Sequence, residues 1–260
     1  MIQLELRRLV DRLKIIESIA LIPRVASTNL VARRIVAECI ENELSLPQAM
    51  IIAGEQFAGI GRNARTWSSP PGKGIYATTL LTRPSADLSL VPLAIANIII
   101  TYLNDVFGVK GQIKWPNDVL VNGKKIAGIL IEARIQDDRA FLLVGTGINV
   151  EPVRDEARPN AIAISEVTRK FEGIAAATEE FVKHLDKRLS GPFDPKSILA
   201  EWRAHTIHKQ GDRVTSVIGE RTASGEWMGI DDQGRALLRN GSEVMTVSAG
   251  EFVLGSGLSS

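Results

Sequence analysis

The fold of this chain is decided by residues 118–150, which read DVLVNGKKIAGILIEARIQDDRAFLLVGTGINV. Three apolar runs are separated there by Asn122-Gly123 and by Asp137-Asp138. Asn-Gly between apolar runs is the strongest short signal for a β-hairpin, and an Asp pair is also typical of a turn. We therefore predict an antiparallel meander. Because helical segments flank it, the pattern favours an α+β class with a mixed, largely antiparallel sheet over a doubly wound parallel one.

Upstream of the meander, the sequence predicts three helices and two further strands. Apolar residues at helical spacing predict a helix over 2–19, and Ser27 and Thr28 are placed to cap a second helix. A third segment is apolar nearly all round and predicts a buried helix over 88–107. Runs bounded by glycine and proline predict strands at 48–56 and 74–82.

Downstream of the meander, the composition and periodicity of the sequence change twice. Residues 151–163 carry two prolines and alternating charges, which predict a mobile loop. Two amphipathic helices follow, the first with Thr178 as a cap and the second opened by Asp194-Pro195. From about residue 207, short alternating runs separated by glycine and Asp or Asn turns predict a small SH3-like β-barrel of about five strands. The predicted domains are therefore residues 1–206 and 207–260.

The composition excludes several functional classes. The 260 residues carry a formal net charge of +1, which argues against a chain-wide field for nucleic acid or membrane surfaces. Cys39 is the single cysteine, so no cysteine metal cluster or internal disulfide is expected. The charged N-terminus has no signal core, and apolar runs such as LAIANIII fall short of a membrane span. We expect a soluble, cytoplasmic protein with no membrane partner.

A glycine- and arginine-rich segment, GIGRNARTW at 59–67, is the first candidate for chemistry. Gly59 and Gly61 allow backbone N–H groups to approach a ligand, and Arg62 and Arg65 neutralise anionic oxygens. A solvated surface loop is the alternative interpretation. The strand that precedes it, and the stiffening Trp67 that ends it, favour an anion site.

The second candidate is KWPND at 114–118, which an ordinary β-turn would also explain. In the functional interpretation Lys114 faces a phosphate, Asn117 and Asp118 supply polar ligands, and Asp118 holds magnesium. Lys124 and Lys125 must point to opposite faces of their strand, and the inward lysine needs an anionic partner. Gly145 and Gly147, in GTGIN, leave room for a flat ring or simply end a strand.

Together these motifs resemble the signature of the biotin protein ligase family. The family's GRGRxGRxW loop corresponds to residues 59–67, KWPND is matched without change, and K-[IL]-AGIL and GxGIN correspond to residues 125–130 and 145–149. Its Ser-Thr-Asn motif stands at Ser27, Thr28 and Asn29. The resemblance implies a class II synthetase, or biotin-lipoate ligase-like, fold. It also implies a ligase that uses ATP and Mg²⁺ to form biotinyl-5′-AMP and transfers biotin to a lysine of a biotin carboxyl carrier protein.

The resemblance also implies residue roles. Hydrogen bonds to the ureido ring of biotin would come from Ser27, Thr28 and Gln56, with Gly59 close by and Asn29 and Gly61 in the same site. Arg62 and Lys125 would hold the biotin carboxylate and the α-phosphate. The nucleotide would be bound by Arg65, Trp67, Lys114 and Asn149, and Asn117 would supply a polar ligand in the same site. Gly145 and Gly147 would flank the biotin rings, and Asp118 would orient or deprotonate the acceptor lysine. The expected catalytic set is Arg62, Lys114, Asp118 and Lys125.

Two departures and several alternatives accompany this resemblance. Ile60 and Ala64 replace an arginine and a glycine of the family loop. Too few residues precede Ser27 for the winged-helix DNA-binding domain of larger members, so no DNA partner is expected. The alternatives are a lipoate or octanoate ligase of the same fold, a non-catalytic biotin or nucleotide sensor, and a nucleic-acid-binding module. The oligomeric state stays open, and a homodimer is one possibility.

Overall fold

A computed structural model describes residues 10–153, 160–218, 221–248 and 251–254. Seven strands form the larger sheet in the order β1-β2-β3-β7-β6-β5-β4, and only the β1–β2 pair among them is parallel. These strands are β1 (Ser18–Ile22), β2 (Ala49–Ala53), β3 (Gly74–Pro84), β4 (Gln112–Lys114), β5 (Asp118–Val121), β6 (Lys124–Gln136) and β7 (Arg139–Asn149). The predicted mixed, largely antiparallel sheet and its meander are confirmed.

The helices cover both faces of this sheet. They are α1 (Thr28–Glu41), α2 (Val91–Phe107), the short α3 (Ile164–Val167), α4 (Ile174–Leu189) and α5 (Pro195–His205). On one face, Ala32 and Val36 of α1 pack against Ile51, Leu80 and Leu143. The alternate residues of the same strands face the larger core, which contains α2, α4 and α5. This alternation follows from the two-residue period of a strand.

The predicted buried helix is present, and it requires one correction. A 3-10 turn, Ser85–Leu90, precedes α2, and together they run over Ser85–Phe107. By length and composition alone this helical segment would be long enough and apolar enough to cross a membrane, contrary to the sequence-based expectation. Residues such as Ile95, Ile99 and Leu103 are completely buried inside the protein, so α2 has the packing of a core helix.

The predicted helix over 2–19 is wrong within the described residues. Residues 18–22 form β1, which pairs with β2 in parallel. Ahead of it, the backbone N–H groups of Lys14, Ile15 and Ile16 donate hydrogen bonds of 2.8–3.0 Å to the carboxylate of Asp186. Three successive N–H groups that share one carboxylate cannot form the i to i−4 bonds of a helix. The first nine residues lie outside the described part.

Two of the predicted caps also differ from the structure. Thr178 lies inside α4, where its hydroxyl donates to the Ile174 carbonyl at 2.7 Å. Ser27 occupies the N-cap position of α1 without a side-chain capping bond, and the N–H of the next residue, Thr28, donates to Gln56 Oε1 at 2.8 Å. Asp194 does cap α5, as predicted, by accepting the Ser197 N–H at 3.0 Å. Of the predicted loop 151–163, residues 154–159 lie outside the described part.

The C-terminal segment forms a second, antiparallel sheet in the order β11-β10-β9-β8-β12. Its strands are β8 (Arg213–Ile218), β9 (Arg221–Ile230), β10 (Ala236–Asn240), β11 (Glu243–Val247) and β12 (Glu251–Leu254). Five strands match the predicted number. The pairs run along an open order of strands, and β11 is not paired with β12 among the described residues.

The second sheet contacts the KWPND segment directly. The indole Nε1 of Trp115 donates to the Gly234 carbonyl at 3.0 Å, and the Trp115 backbone N–H donates to His208 Nε2 at 3.1 Å. The His208 ring lies 4.6 Å from the Trp227 ring. Burial, and secondarily the charge of Lys114, lower the pKa of His208 to about 4, while Asp212 opposes the shift. His208 therefore accepts the Trp115 hydrogen bond as a neutral ring.

We predict that His208 makes the folded protein acid-sensitive. Its folded pKa of about 4 lies below its ordinary value of 6.5, so the unfolded chain takes up the proton first. The contribution of His208 to stability is therefore complete above about pH 6.5 and is lost as the pH falls toward 4, by up to about 3 kcal/mol. Unfolding free energies of the unsubstituted protein and of His208→Gln, measured between pH 7 and 4.5, test this.

Glutamine retains a neutral acceptor for the Trp115 N–H, so the variant should lose stability less steeply with falling pH. His205→Gln, at the end of α5, is the control for the replacement of a histidine by glutamine. Equal pH slopes for His208→Gln and the unsubstituted chain would contradict the prediction.

Candidate functional site

A cavity of about 330 Å³ lies on the face of the large sheet that carries α1. Fourteen of the sixteen site residues expected from the sequence line it: Ser27, Thr28, Asn29, Gln56, Gly61, Arg62, Arg65, Trp67, Asn117, Asp118, Lys125, Gly145, Gly147 and Asn149. They come from α1, from the loop after β2 and from strands β5 to β7. The fold therefore brings the separate motifs into one site.

Glycines create the space at the floor of this cavity. Gly147 pairs with Gly128 across β7 and β6, and Gly145 pairs with Leu130. A Cβ atom at Gly145 would lie 2.4 Å from Asn29 Oδ1, and one at Gly147 would lie 2.4 Å from the Trp67 indole. The space beside these glycines is taken up by the side chains of Asn29 and Trp67, and the room for a ligand ring stays a prediction. The sequence reasoning missed Gly128 as a site residue.

Trp67 lies over the glycine floor. Its indole approaches the positions where side chains of Gly128 and Gly147 would stand, and Lys125 Nζ lies 5.2 Å from the ring centroid. Within the described part of the chain, the buried indole Nε1 has no hydrogen-bond partner. A buried donor without an acceptor costs free energy, which indicates a position where a ligand acceptor is needed.

Lys125 and Asp118 form an ion pair at the cavity wall, with 2.6 Å between Nζ and Oδ1. The inward lysine was expected to need an anionic partner, and the pairing of β5 with β6 brings Asp118 into that position. Lys124 is exposed while Lys125 lines the cavity, so the predicted division between the two lysines is confirmed.

Hydrogen bonds join the glycine- and arginine-rich loop to KWPND and to the strands. Arg62 Nη1 donates to Asn117 Oδ1 at 2.8 Å, and Asn117 Nδ2 donates to the Ile129 carbonyl at 2.6 Å. Asn149 Nδ2 lies 3.1 Å from the Lys125 carbonyl oxygen and 3.2 Å from that of Ile162. The amide groups of Asn117 and Asn149 therefore position the backbone around Lys125.

The other end of the cavity is built from uncharged hydrogen-bonding groups. Gln56 Oε1 accepts the Thr28 N–H, and Gln56 Nε2 donates to Ser69 Oγ at 2.8 Å. Behind them, Thr78 Oγ1 lies 2.7 Å from Thr28 Oγ1 and 2.6 Å from Asn29 Oδ1. Ser69 and Thr78 are buried, and sequence reasoning missed both, because most of their partners are distant along the chain.

Two expected site residues do not line the cavity. Lys114 ends β4 and is close enough to His208 to affect its pKa. Gly59 closes the loop on itself: its carbonyl accepts the Trp67 N–H at 2.9 Å, and a Cβ there would lie 2.2 Å from the Trp67 carbonyl oxygen. Ile60 does line the cavity, whereas the side chain of Ala64 lies outside the described part.

The residues around Asp118 do not fit a metal ion held by protein ligands alone. Among the described residues, no group of three or more His, Cys, Asp or Glu side chains is placed to hold a metal. Asp118 offers one carboxylate, and that carboxylate is paired with Lys125. Magnesium prefers a near-complete octahedron of oxygen ligands.

The arrangement suits an elongated ligand with chemically different ends. One end meets the neutral groups of Thr28 and Gln56, and the other meets Lys125, Arg62 and Arg65. The two ends are about 7 Å apart along β7, the distance between Gly145 beside Asn29 and Gly147 beside Trp67. Such a site can bind a neutral hydrogen-bonding head group and stabilise charge that develops on phosphate oxygens at the other end.

Comparison of the sequence with protein families gives a consistent result. A model of the biotin/lipoate A/B protein ligase family matches residues 21–149. A biotin--[acetyl-CoA-carboxylase] ligase of Paracoccus denitrificans is 32% identical over 221 residues, which cover 80% of this chain and 90% of that protein. A bifunctional ligase/repressor BirA of Bacillus subtilis (strain 168) is 29% identical, over 79% of this chain. This chain spans 66% of the length of that relative.

The fold is similar to that of solved biotin protein ligases. A biotin protein ligase of Aquifex aeolicus, solved in complex with biotin and ATP, superimposes with a TM-score of 0.71 at 24% identity. The match covers 92% of this chain and 98% of the other.

We predict that Gly147→Ala displaces Trp67 from the cavity floor. The added methyl group would stand 2.4 Å from the indole, far inside van der Waals contact, so the ring must move. Acrylamide quenching of tryptophan fluorescence measures this movement, because Trp115, Trp202 and Trp227 are at most 3% exposed and contribute little to quenching.

The quenching constant should rise clearly in Gly147→Ala. Gly191→Ala is the matched control, since a Cβ there meets only the Arg188 carbonyl oxygen, at 3.4 Å. Unchanged quenching in Gly147→Ala would show that the indole does not occupy this position.

Proposed function

This chain belongs to the biotin protein ligase family, and from that premise we propose that it is an ATP-dependent ligase that attaches biotin to a carrier protein. The observation that carries the proposal is that four segments line one cavity: the glycine- and arginine-rich loop 59–67, KWPND at 114–118, AGIL at 127–130 and GIN at 147–149. A cyclic urea and a carboxylate lie at opposite ends of biotin, which fits a cavity with a neutral end and a cationic end.

The first proposed step joins biotin to AMP. The carboxylate oxygen of biotin attacks the α-phosphorus of ATP, the bond to the bridging oxygen breaks, and pyrophosphate leaves. Arg62 and Lys125 bind the carboxylate and the α-phosphate, and their charges stabilise the phosphoryl oxygens as negative charge develops. Arg65, Trp67, Asn117 and Asn149 hold the nucleotide, and the indole N–H of Trp67, which has no acceptor among the described residues, supports this role. Lys114, outside the cavity lining, stays a predicted nucleotide contact.

The second proposed step transfers biotin to the carrier protein. The ε-amine of the acceptor lysine attacks the acyl carbon of biotinyl-5′-AMP, an amide bond forms, and AMP leaves. An amine with a pKa near 10.4 must lose a proton before it attacks. Asp118 is the proposed group that orients the amine and takes the proton. Once a ligand anion pairs with Lys125, the Asp118 carboxylate is released from its ion pair for this task.

Magnesium, in this proposal, enters with the phosphates of ATP. Asp118 supplies at most one ligand to it, because no further carboxylate lines the described cavity. Bound in this way, magnesium would neutralise charge on the phosphate oxygens.

The remaining parts of the proposal concern the organisation of the chain and its partners. We propose a catalytic domain over 1–206 and a C-terminal domain over 207–260 that closes into an SH3-like barrel. The contacts of His208 and Gly234 with Trp115 support a role for this domain in fixing KWPND. A biotin carboxyl carrier protein as acceptor, a cytoplasmic location and a homodimer stay predictions.

Pyrophosphate release tests the function directly. The purified protein should release pyrophosphate from ATP with biotin and not with lipoate or octanoate, which are the substrates of the alternative ligases. Lys125→Ala should lower the rate roughly 30- to 1000-fold, because a charge-assisted contact in the transition state is lost.

Lys124→Ala is the control for this substitution, since Lys124 is the exposed neighbour on the opposite face of β6. Pyrophosphate release by Lys125→Ala at the rate of the unsubstituted protein would contradict the proposed role of Lys125 in binding the carboxylate and the α-phosphate. Release that depends on lipoate would favour the alternative ligase.

We also predict that Ile60→Arg retains the adenylate for longer. Ile60 lines the cavity at a position where the family pattern has arginine. An added guanidinium that reaches the ligand or the closed loop would form a charge-assisted hydrogen bond, and this should slow release roughly tenfold or more. Dissociation of biotinyl-5′-AMP is measured by chase with unlabelled ligand. Release from Ile60→Arg that is no slower than from the unsubstituted chain would refute this interpretation of the loop.

A further inference from the structure

One buried serine connects the two ends of the cavity. Ser69 Oγ donates a hydrogen bond to the Trp67 carbonyl oxygen at 3.1 Å, and Gln56 Nε2 donates to Ser69 Oγ at 2.8 Å. Gln56 belongs to the neutral end of the cavity, and Trp67 lies over the glycine floor beside Lys125. Ser69 stands behind both residues and is only 3% exposed. Its hydroxyl group is therefore bonded to a residue of each end and does not itself line the cavity.

The donors and acceptors around Ser69 leave one arrangement of its proton. A carbonyl oxygen only accepts hydrogen bonds, so the single hydroxyl proton of Ser69 is directed at Trp67. The oxygen of Ser69 then accepts the NH₂ group of Gln56, and the amide oxygen of Gln56 faces the other way. That amide oxygen accepts the backbone N–H of Thr28 at 2.8 Å and the Thr28 hydroxyl group at 3.1 Å. Both sides of the Gln56 amide therefore fix the same orientation.

The backbone places Ser69 at this point independently of its side chain. The Gln56 N–H donates to the Ser69 carbonyl at 3.0 Å, and the Trp67 N–H donates to the Gly59 carbonyl at 2.9 Å. These bonds do not involve the hydroxyl group, so they persist when the hydroxyl group is removed. The segment therefore keeps its path in Ser69→Ala, and this substitution isolates the contribution of the side chain.

Gly59 closes the space around the hydroxyl group. A Cβ atom at Gly59 would lie 2.2 Å from the Trp67 carbonyl oxygen and 2.9 Å from Ser69 Oγ. Gln56 Nε2 would be 3.2 Å from the same atom. In Ser69→Ala no water molecule can replace the hydroxyl oxygen, because the methyl carbon that remains stands within one bond length of that position. The NH₂ group of Gln56 and the carbonyl of Trp67 then lose the partner that Ser69 supplies.

We infer that Ser69 is a positioning residue whose hydroxyl group fixes the amide of Gln56 and the backbone of Trp67 together, and so holds both ends of the cavity in their binding positions. This inference rests on the proposed function, in which Gln56 meets biotin and Trp67 meets the nucleotide. Ser69 touches neither ligand, yet its loss weakens the binding of both. Groups that are oriented before the ligands arrive lose less freedom on binding, which favours the bound state.

Pyrophosphate release measures the two ends separately, through the KM for biotin and the KM for ATP. In Ser69→Ala we expect each KM to rise about tenfold, since a buried NH₂ group and a buried carbonyl lose a partner. The kcat should change less than about threefold, because Ser69 does not touch the reacting atoms. Ser68→Ala is the matched control: the same change at the neighbouring serine, which is only partly buried, should leave both KM values unaltered.

Acrylamide quenching of the Trp67 fluorescence tests the inference without any ligand. The quenching constant should rise in Ser69→Ala and stay unchanged in Ser68→Ala. Ser69→Cys is the second variant, because it fills the space of the hydroxyl group while a thiol is a weak donor and a weak acceptor. It should raise both KM values as Ser69→Ala does, whatever the effect of the smaller alanine side chain on folding.

A rise in only one KM, or a lower melting temperature with both KM values unchanged, would overturn the inference. Quenching of Ser69→Ala equal to that of the unsubstituted chain would overturn it as well. Failure of the unsubstituted chain to release pyrophosphate with biotin and ATP would instead overturn the proposed function, and the quenching measurement would still decide the role of Ser69. The two failures are therefore distinguishable.

Discussion

The site depends on glycines in β7 that leave part of one face of the sheet without side chains. Along β7 the residues on the α1 face change from Leu143, packed under α1, to Gly145 and Gly147, where the cavity opens. Two different side chains, those of Asn29 and Trp67, enter the space that a methyl group would otherwise fill. The same strand therefore contributes to the core at one end and to the floor of the site at the other. Because successive side chains of a strand point to opposite faces, Leu143, Gly145 and Gly147 all lie on the same face of the sheet.

How far the sequence predicts this fold depends on how local each determinant is. The hairpin at Asn122-Gly123 is predicted correctly, because the backbone of the turn itself demands those residues, and Asn122 and Gly123 both have positive φ. The N-terminal strand β1 is not predicted, since its strand conformation depends on parallel pairing with β2, and Lys14 to Ile16 depend on Asp186. The helical spacing of apolar residues in this segment indicates only which side of it is buried. It does not determine a helix here, because the distant Asp186 accepts the backbone N–H groups that a helix would use.

The same distinction explains the site. Most of the expected residues line the cavity because their motifs surround loops and strand ends, which carry binding groups in many folds. The pairing of Lys125 with Asp118, the stacking of Trp67 on the glycines and the bonds of Thr78 are properties of the assembled sheet. Lys114 is a different case: it belongs to a motif of the site, yet it lies outside the cavity lining and close enough to His208 to affect its pKa, and its contact with a nucleotide stays a prediction.

The position of Asp186 in the sequence has a consequence for the order in which parts of the chain fold. Its carboxylate accepts bonds from Lys14, Ile15 and Ile16, which leave the ribosome some 170 residues earlier. Until α4 has been synthesised, those N–H groups have no carboxylate, and the segment that leads into β1 lacks its anchor. Contacts of such long sequence separation form late and slow the folding of the whole domain. Lys14, Ile15 and Ile16 are therefore translated long before Asp186 and reach their native positions only after it.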